Sequence, residues 1–252
     1  MLIEKHCDII VLAEYSFGID ELLAGINANS KYSFSAIPNL GGCEKIRGII
    51  KSSYRITIIQ EQNRYKIIKL ETTYYKLIMA MIHNVDRRNS DENERKEMLR
   101  IFNNDICEAE TSHKTKNTIV LGDFNANPFE ESLIASNAMH AIPYKDEVLT
   151  GHRTVNGVSY EKFYNPMWKL LAKEEALYAT FHYNNSKLTN YYWYMFDQII
   201  IRPTLISALD ECTLTILTET QNCALVKNGK PNKAEYSDHL PIFCTIKEEN
   251  LK

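Results

Sequence analysis

Thr118-Ile119-Val120-Leu121-Gly122-Asp123-Phe124-Asn125 is the stretch on which the reading of this 252-residue chain turns. Its first four residues are apolar or β-branched and predict a short buried strand. That strand delivers Gly122, Asp123 and Asn125 into a turn. Glycine permits close backbone approach, and Asp and Asn two positions apart can point to the same side of an extended segment. Alone, the pattern is explained by an Asx-turn that closes a loop.

Working outward, other segments repeat the design of an apolar run ending in polar side chains. Asp8-Ile-Ile-Val-Leu-Ala-Glu14 reads as a strand covered on both faces, with a carboxylate at its end. Ile82-His83-Asn84 ends another strand, and Ser237-Asp238-His239-Leu240-Pro241 precedes a third. Asp197 sits inside an aromatic and apolar strand, where burial calls for a partner such as histidine. Each has a bland reading by itself: an exposed strand end, or a structural Asp-His pair. Neighbouring side chains diverge, so Ser237, Asp238 and His239 cannot form a triad among themselves. No H-E-x-x-H, Walker A or G-x-S-x-G motif is present.

The rest of the pattern predicts one domain over residues 1–252, without repeats or a linker. Helix spacing covers residues 19–26, with Ile19, Leu22, Leu23 and Ile26 on one face. Residues 54–60, 64–70 and 74–82 read as an antiparallel meander. Ser90 is the expected cap of a helix running to about residue 110, with Met98, Leu99, Phe102 and Ile106 as its buried stripe. Residues 129–139 read as helix after Pro128. Residues 141–176 read as loop with one short helix near Trp168. Strands are expected over 177–183, 191–201, 213–218 and 241–246. In the third-to-last of these, period two puts Tyr191, Trp193 and Met195 on one face, and Tyr192, Tyr194 and Phe196 on the other.

Composition sets bounds. Hydrophobic residues at 44% and charged residues at 24% predict a folded globular chain with a sizeable core. Lys plus Arg number 29 against 32 Asp plus Glu, a net charge of −3, which argues against nucleic-acid binding by bulk positive charge. A metal ion could still supply charge locally. The stretch from residue 45 to 69 is locally basic, either as solvated strand faces or as a phosphate contact surface. No apolar run approaches membrane-spanning length and no secretory signal is visible, so a cytoplasmic protein with no membrane partner is expected. The six cysteines lack C-x-x-C pairs and are expected to be reduced thiols.

Together, Glu14, His83, Gly122-Asp-Phe-Asn-Ala-Asn-Pro128, Asp197 and Ser237-Asp-His-Leu-Pro241 resemble the endonuclease/exonuclease/phosphatase superfamily, which includes exonuclease III and deoxyribonuclease I. The resemblance covers residues 8–246 and is weakest over 141–190. It implies an α/β fold: a four-layer sandwich of two facing mixed sheets flanked by helices. It implies that Glu14 holds Mg²⁺ or Mn²⁺ with Asp238 beside it. Asp123 and Asn125 position the attacking water and a phosphate oxygen. His239 contacts the scissile phosphate, Asp197 orients His239, and His83 is a further phosphate contact. Family members usually begin with an Asn-bearing strand and a helix before the 8–14 strand. Here that strand is expected to be lacking, with residues 2–6 as the last turn of the helix. The implied activity is hydrolysis of phosphodiesters in DNA or RNA. Alternatives are a hydrolase for a small phosphorylated molecule or lipid headgroup, and a catalytically weak phosphate-binding module. Aromatics near Asp197 could stack on bases, or could be core.

Overall fold

The computed structural model describes residues 1–72, 74–172, 179–186 and 188–251. Residues 2–6 form a turn: Lys5 N donates to Met1 O at 2.9 Å and Cys7 N to Leu2 O at 3.0 Å. β1 (Ile9–Ala13) follows, then α1 (Ile19–Asn29), β2 (Phe34–Ala36) and β3 (Ile46–Lys51). β3 lies between β1 and β2 in an antiparallel sheet. α1 covers its outer face, where Leu22, Leu23 and Ile26 pack on Phe34 and Ile49.

β4 (Arg55–Gln62), β5 (Tyr65–Glu71) and β6 (Lys76–His83) form the expected meander. α2 (Glu92–His113) then crosses over to β7 (Thr118–Asp123), which pairs parallel to β6, as a crossover of this length permits. α3 (Glu131–Ile134), β8 (Ala141–Ile142), α4 (Lys145–Leu149) and the hairpin of β9 (His152–Val155) and β10 (Val158–Glu161) come next. β11 (Phe163–Tyr164), α5 (Met167–Ala172), the short pair β12 (Phe181–His182) and β13 (Trp193–Tyr194), and β14 (Asp197–Ile201) follow. The larger sheet has seven strands in the order β4-β5-β6-β7-β14-β11-β8. The chain ends with β15 (Leu209–Ile216), the small ribbon β16 (Val226–Lys227) and β17 (Lys230–Pro231), and β18 (Ile242–Ile246), which pairs with β15.

The layers are therefore α1, the sheets of β1 and β18, the seven-stranded sheet, and α2. Leu99, Phe102 and Ile106 of α2 pack on Ile67, Ala80, Ile82 and Val120. The opposite face of the same strands puts Ile68, Leu70, Met79 and Ile199 against Ile46 and Ile50. Ile67 and Ile68 are both fully buried, so β5 is covered on both faces. The four-layer α/β sandwich expected from the sequence is the fold observed. Among the described strands, β1 pairs only with β3 and β18 only with β15, so each leaves one edge unpaired. A cavity of about 2100 Å³ runs between those two edges and opens at the end where β6 and β7 finish. Its presence leaves β1 half-buried instead of covered on both faces.

Several local expectations are corrected. The α2 cap is Asp91, not Ser90: its side chain accepts from Glu94 N, and Glu94 accepts in return from Asp91 N, closing a capping box. The helix expected over 129–139 is the single turn α3, because Asn103 of α2 donates to Ala138 O at 2.6 Å and His140 turns the chain at φ 50°. The strand expected over 191–201 is broken before β14. There Met195 N donates to Asn127 Oδ1 and Phe196 N to Thr180 Oγ1, so side chains replace ladder partners. The alternation of faces across 191–196 fails at that break. The strand expected over 177–183 is reduced to β12 within the described residues; positions 177 and 178 lie outside them. β2 and β3 were not expected.

The basic stretch from 45 to 69 is mostly neutralised. Lys51 pairs with Asp8, Lys69 with Glu71 at 3.1 Å, and Lys66 is buried against Glu61 at 3.1 Å. Lys66 also donates to Pro38 O, while Glu61 gathers the backbone N–H groups of Leu40, Gly42 and Cys43. These charges tie the loop 39–43 to the meander and do not form a contact surface for phosphates. All six cysteines are free thiols. No described helix is long and apolar enough to cross a membrane.

Candidate active site

Three site residues share one level of the larger sheet because of strand register. His83 at the end of β6 lies beside Asp123 at the end of β7, and Asp123 lies beside Asp197 at the start of β14. Gly122 makes this alignment possible. Its φ is +136°, and a Cβ there would stand 2.0 Å from Ile82 O. Only glycine allows the two strands to close this tightly ahead of Asp123. The chain then turns: Asn125 N donates to Asp123 Oδ1 at 2.7 Å, and Asn125 takes φ 50°. Asn125 Nδ2 donates to Asn84 O at 3.1 Å and to Asp123 Oδ2 at 3.2 Å. Asn84 is fully buried and donates to Phe124 O at 3.0 Å, so it fixes the turn from below.

The other half of the site comes from the opposite sheet. Glu14 leaves β1 with φ 53°, and its N–H donates to Lys45 O at 2.8 Å. Its Oε1 accepts from Lys45 Nζ at 2.8 Å and lies 3.5 Å from His83 Nε2. His83 Nε2 is also 3.7 Å from Asp123 Oδ2. His239 precedes β18. A bridge to Phe181 and the bond from Leu240 N to Thr180 O at 2.7 Å hold its backbone. Its Nδ1 lies 2.7 Å from Asp197 Oδ2. Glu14, His83, Asp123, Asp197 and His239, distributed over more than 200 positions, thus form one continuous array at one end of the sandwich. Asp238 faces the same cavity and pairs with Lys233 at 3.1 Å.

Electrostatics differentiates the members. Burial raises Asp123, and the Asp197 carboxylate raises it further, to about 7. Burial opposes a charge on His239, but the Asp197 carboxylate and the hydrogen bond to it prevail and lift the imidazole to about 9. It is therefore a cation at neutral pH. His83 goes the other way: burial, helped by Arg64 and Lys45, lowers it despite Glu14. Arg64 Nη1 lies 3.5 Å from His83 Nδ1, and a guanidinium can only donate. Neutral His83 then carries its proton on Nε2, facing Glu14 and Asp123. The hydrogen bond from Lys45 lowers Glu14 and keeps it ionised. Burial pushes Asp238 up, but Lys233 and His239 outweigh it and hold the carboxyl low.

Sequence reading missed four contributors. Lys45 pairs with Glu14, and Arg64 sets the His83 tautomer. Thr180 Oγ1 accepts from Phe196 N and Asp197 N, both at 3.1 Å, and so aims Asp197. Asn84 follows His83 directly, which was a usable signal; Thr180 offered none, since its role exists only through packing.

The donor set suits a hard divalent cation. Glu14 is an accessible carboxylate, and Asp123, Asp197 and Asp238 line the same cavity, oxygen donors of the kind a hard divalent cation takes. Among the described residues, another group has metal-ligand types in proximity: Cys107, Glu110 and Glu161. It does not fit a metal. Arg202 holds Glu110 at 2.7 Å, and Lys116 binds Glu110 at 3.0 Å and Glu161 at 2.6 Å, so cations already satisfy those carboxylates.

No protein-family model matches the chain, and no curated protein matches it. Solved structures do. TDP2 of D. rerio, complexed with single-strand DNA product, is 19% identical with TM-score 0.56, over 97% of this chain and 87% of that one. NExo, a 3′ phosphatase from Neisseria bound to a product DNA hairpin, is 14% identical with TM-score 0.55, over 95% and 89%. An endonuclease/exonuclease/phosphatase family protein from Bacteroides thetaiotaomicron is 14% identical with TM-score 0.54, over 100% and 86%. The likeness is one of fold: this chain shares the architecture of these solved structures.

Proposed function

We propose that this chain is a divalent-cation-dependent phosphodiester hydrolase that acts on nucleic acid, with residues 1–252 as one catalytic domain. The observation that carries the reading is the unbroken array from Glu14 through His83, Asp123 and Asp197 to the 2.7 Å contact with His239. Glu14 would hold Mg²⁺ or Mn²⁺, with Asp238 beside it. When bound, such an ion neutralises charge on phosphate oxygens. Asp123, with a pKa near neutrality, takes a proton from the attacking water. Asn125, whose two amide hydrogens go to Asn84 O and Asp123 Oδ2, holds that carboxylate in place. Cationic His239, held in one orientation by Asp197, offers its Nε2–H to the charge that develops on the phosphate. His83 donates its Nε2–H from the opposite side. The DNA bound by TDP2 of D. rerio and by NExo supports a nucleic-acid substrate.

Labelled single- and double-stranded DNA and RNA, incubated with Mg²⁺ or Mn²⁺, test this. Cleavage is expected, with loss in chelator and a fall of about 10³-fold in Asp123→Ala and His239→Ala. Turnover only of small phosphate esters would transfer the site to the small-molecule alternative. Cleavage undiminished by both substitutions would remove the assignment of the site.

A further inference from the structure

A strip of aromatic side chains begins at His239 and runs outward along one wall of the cavity. The Phe181 ring lies 4.7 Å from the His239 ring and is stacked on Phe196 at 5.4 Å and on Tyr183 at 6.3 Å. Tyr194 bridges Phe196 at 5.1 Å to Tyr191 at 5.8 Å. The inner members, Tyr194 and Phe196, are buried, whereas Tyr183 is 44% and Tyr191 is 50% exposed. Phe129 meets Tyr191 edge-on at 5.4 Å from outside the cavity, so this exposed ring is braced.

Isolated surface aromatics need no explanation, but a contiguous strip leading into a polar site marks a binding surface. Its chemistry selects the ligand. Flat exposed rings recognise flat partners, and the reacting centre beside them is built for phosphate. Arg87, ion-paired with Glu130, places its guanidinium 5.7 Å from the Tyr194 and Phe196 ring centres, and exposed Arg88 lines the same cavity. Duplex bases already stack on each other and present only edges, so exposed ring faces serve unpaired bases. With a net charge of −3, stacking must supply affinity that bulk charge does not.

We propose that Tyr183 and Tyr191 are a stacking platform for the bases of a single-stranded nucleic acid whose phosphate sits at His239, with Arg87 and Arg88 receiving its backbone. The assignment rests on the phosphodiesterase reading and narrows its substrate to single strands.

Fluorescence anisotropy in chelator, with labelled DNA and RNA single strands of about ten nucleotides, separates binding from chemistry. The Tyr183→Ala/Tyr191→Ala variant is expected to bind single strands about tenfold more weakly. Tyr183→Phe/Tyr191→Phe is expected to bind like the wild type, because ring faces and not hydroxyls make the contact. With metal present, the alanine variant is expected to raise KM for the oligonucleotide and leave kcat unchanged. A loss confined to DNA or to RNA supports the platform and identifies the sugar. Binding unaffected by the alanine pair, or a wild-type preference for duplex, overturns it. A tenfold binding loss in a protein that hydrolyses no diester would keep the platform and sink the hydrolase reading; hydrolysis with unaltered binding would do the reverse.

Discussion

In the seven-stranded sheet, β5, β6 and β7 are paired on both edges, and Ile67, Ile68, Ala80, Met81 and Val120 are fully enclosed. Across the sandwich, β1 and β18 are each paired on one edge, their residues are mostly half-buried, and a cavity of about 2100 Å³ separates them. The site takes His83, Asp123 and Asp197 from the first region, and Glu14 and His239 from the second. Register fixes the first three as rigidly as the sheet itself. The other two depend on side-chain and backbone ties: Lys45 to Glu14, and Asp197 and Thr180 to the His239 segment. A buried sheet thus sets the frame of the site, and a looser one brings the Glu14 carboxylate and the His239 imidazole to it.

The contrast is broken most severely at Gly122. Gly122→Ala drives a methyl group into Ile82 O in the tight sheet and is expected to cost about 3 kcal/mol, or roughly 10 °C in Tm. Thermal melting checks this; a change within about 2 °C would mean that β6 and β7 are not pinned at this level. A smaller effect compares the two regions directly. Ile67→Ala is expected to destabilise by about 3 kcal/mol in denaturant titration, and Ile9→Ala by about 1 kcal/mol, since Ile9 is half-buried and borders a cavity. Equal losses would make β1 as firmly packed as β5.

The gentlest probe is pH. His239 is raised from 6.5 to about 9 in the fold, so its stabilisation is complete below about 6.5 and is lost as pH rises through about 9. Asp123 is raised from 3.8 to about 7, so the fold favours its neutral form, and the penalty for ionising it grows between those values. Both effects act in the same direction. His83, lowered in the fold, opposes them below about 6.5; in chelator, Tm is therefore expected to decline as pH rises from about 7 to about 9, and Asp197→Asn is expected to flatten that upper decline. An unchanged upper slope in Asp197→Asn would dissociate His239 from Asp197.

Much of the site was legible because its residues sit in segments whose local chemistry is unusual: carboxylates and histidines ending apolar runs, and a glycine ahead of Asp123. What remained illegible was set by contacts distant in sequence. Helix spacing over 129–139 gave way because Asn103 captures Ala138 O and His140 adopts a left-handed turn. The aromatic strand broke because Asn127 and Thr180 took its amide protons. In the basic stretch, Lys45 and Lys51 are neutralised by Glu14 and Asp8, acids far back in the chain that only the pairing of β1 with β3 brings near.

The sequence alone determined the alternation of strands and helices, the strand-end placement of Glu14, His83 and Asp123, and the requirement for glycine at 122, because backbone propensity and hydrophobic periodicity are local properties. Only tertiary structure decided that His239 is a cation and His83 neutral, that Lys45 meets Glu14, and that the aromatic rings lead outward from His239. Charge state and mutual orientation depend on the dielectric and the neighbours at each group, and those exist only once the two sheets face each other.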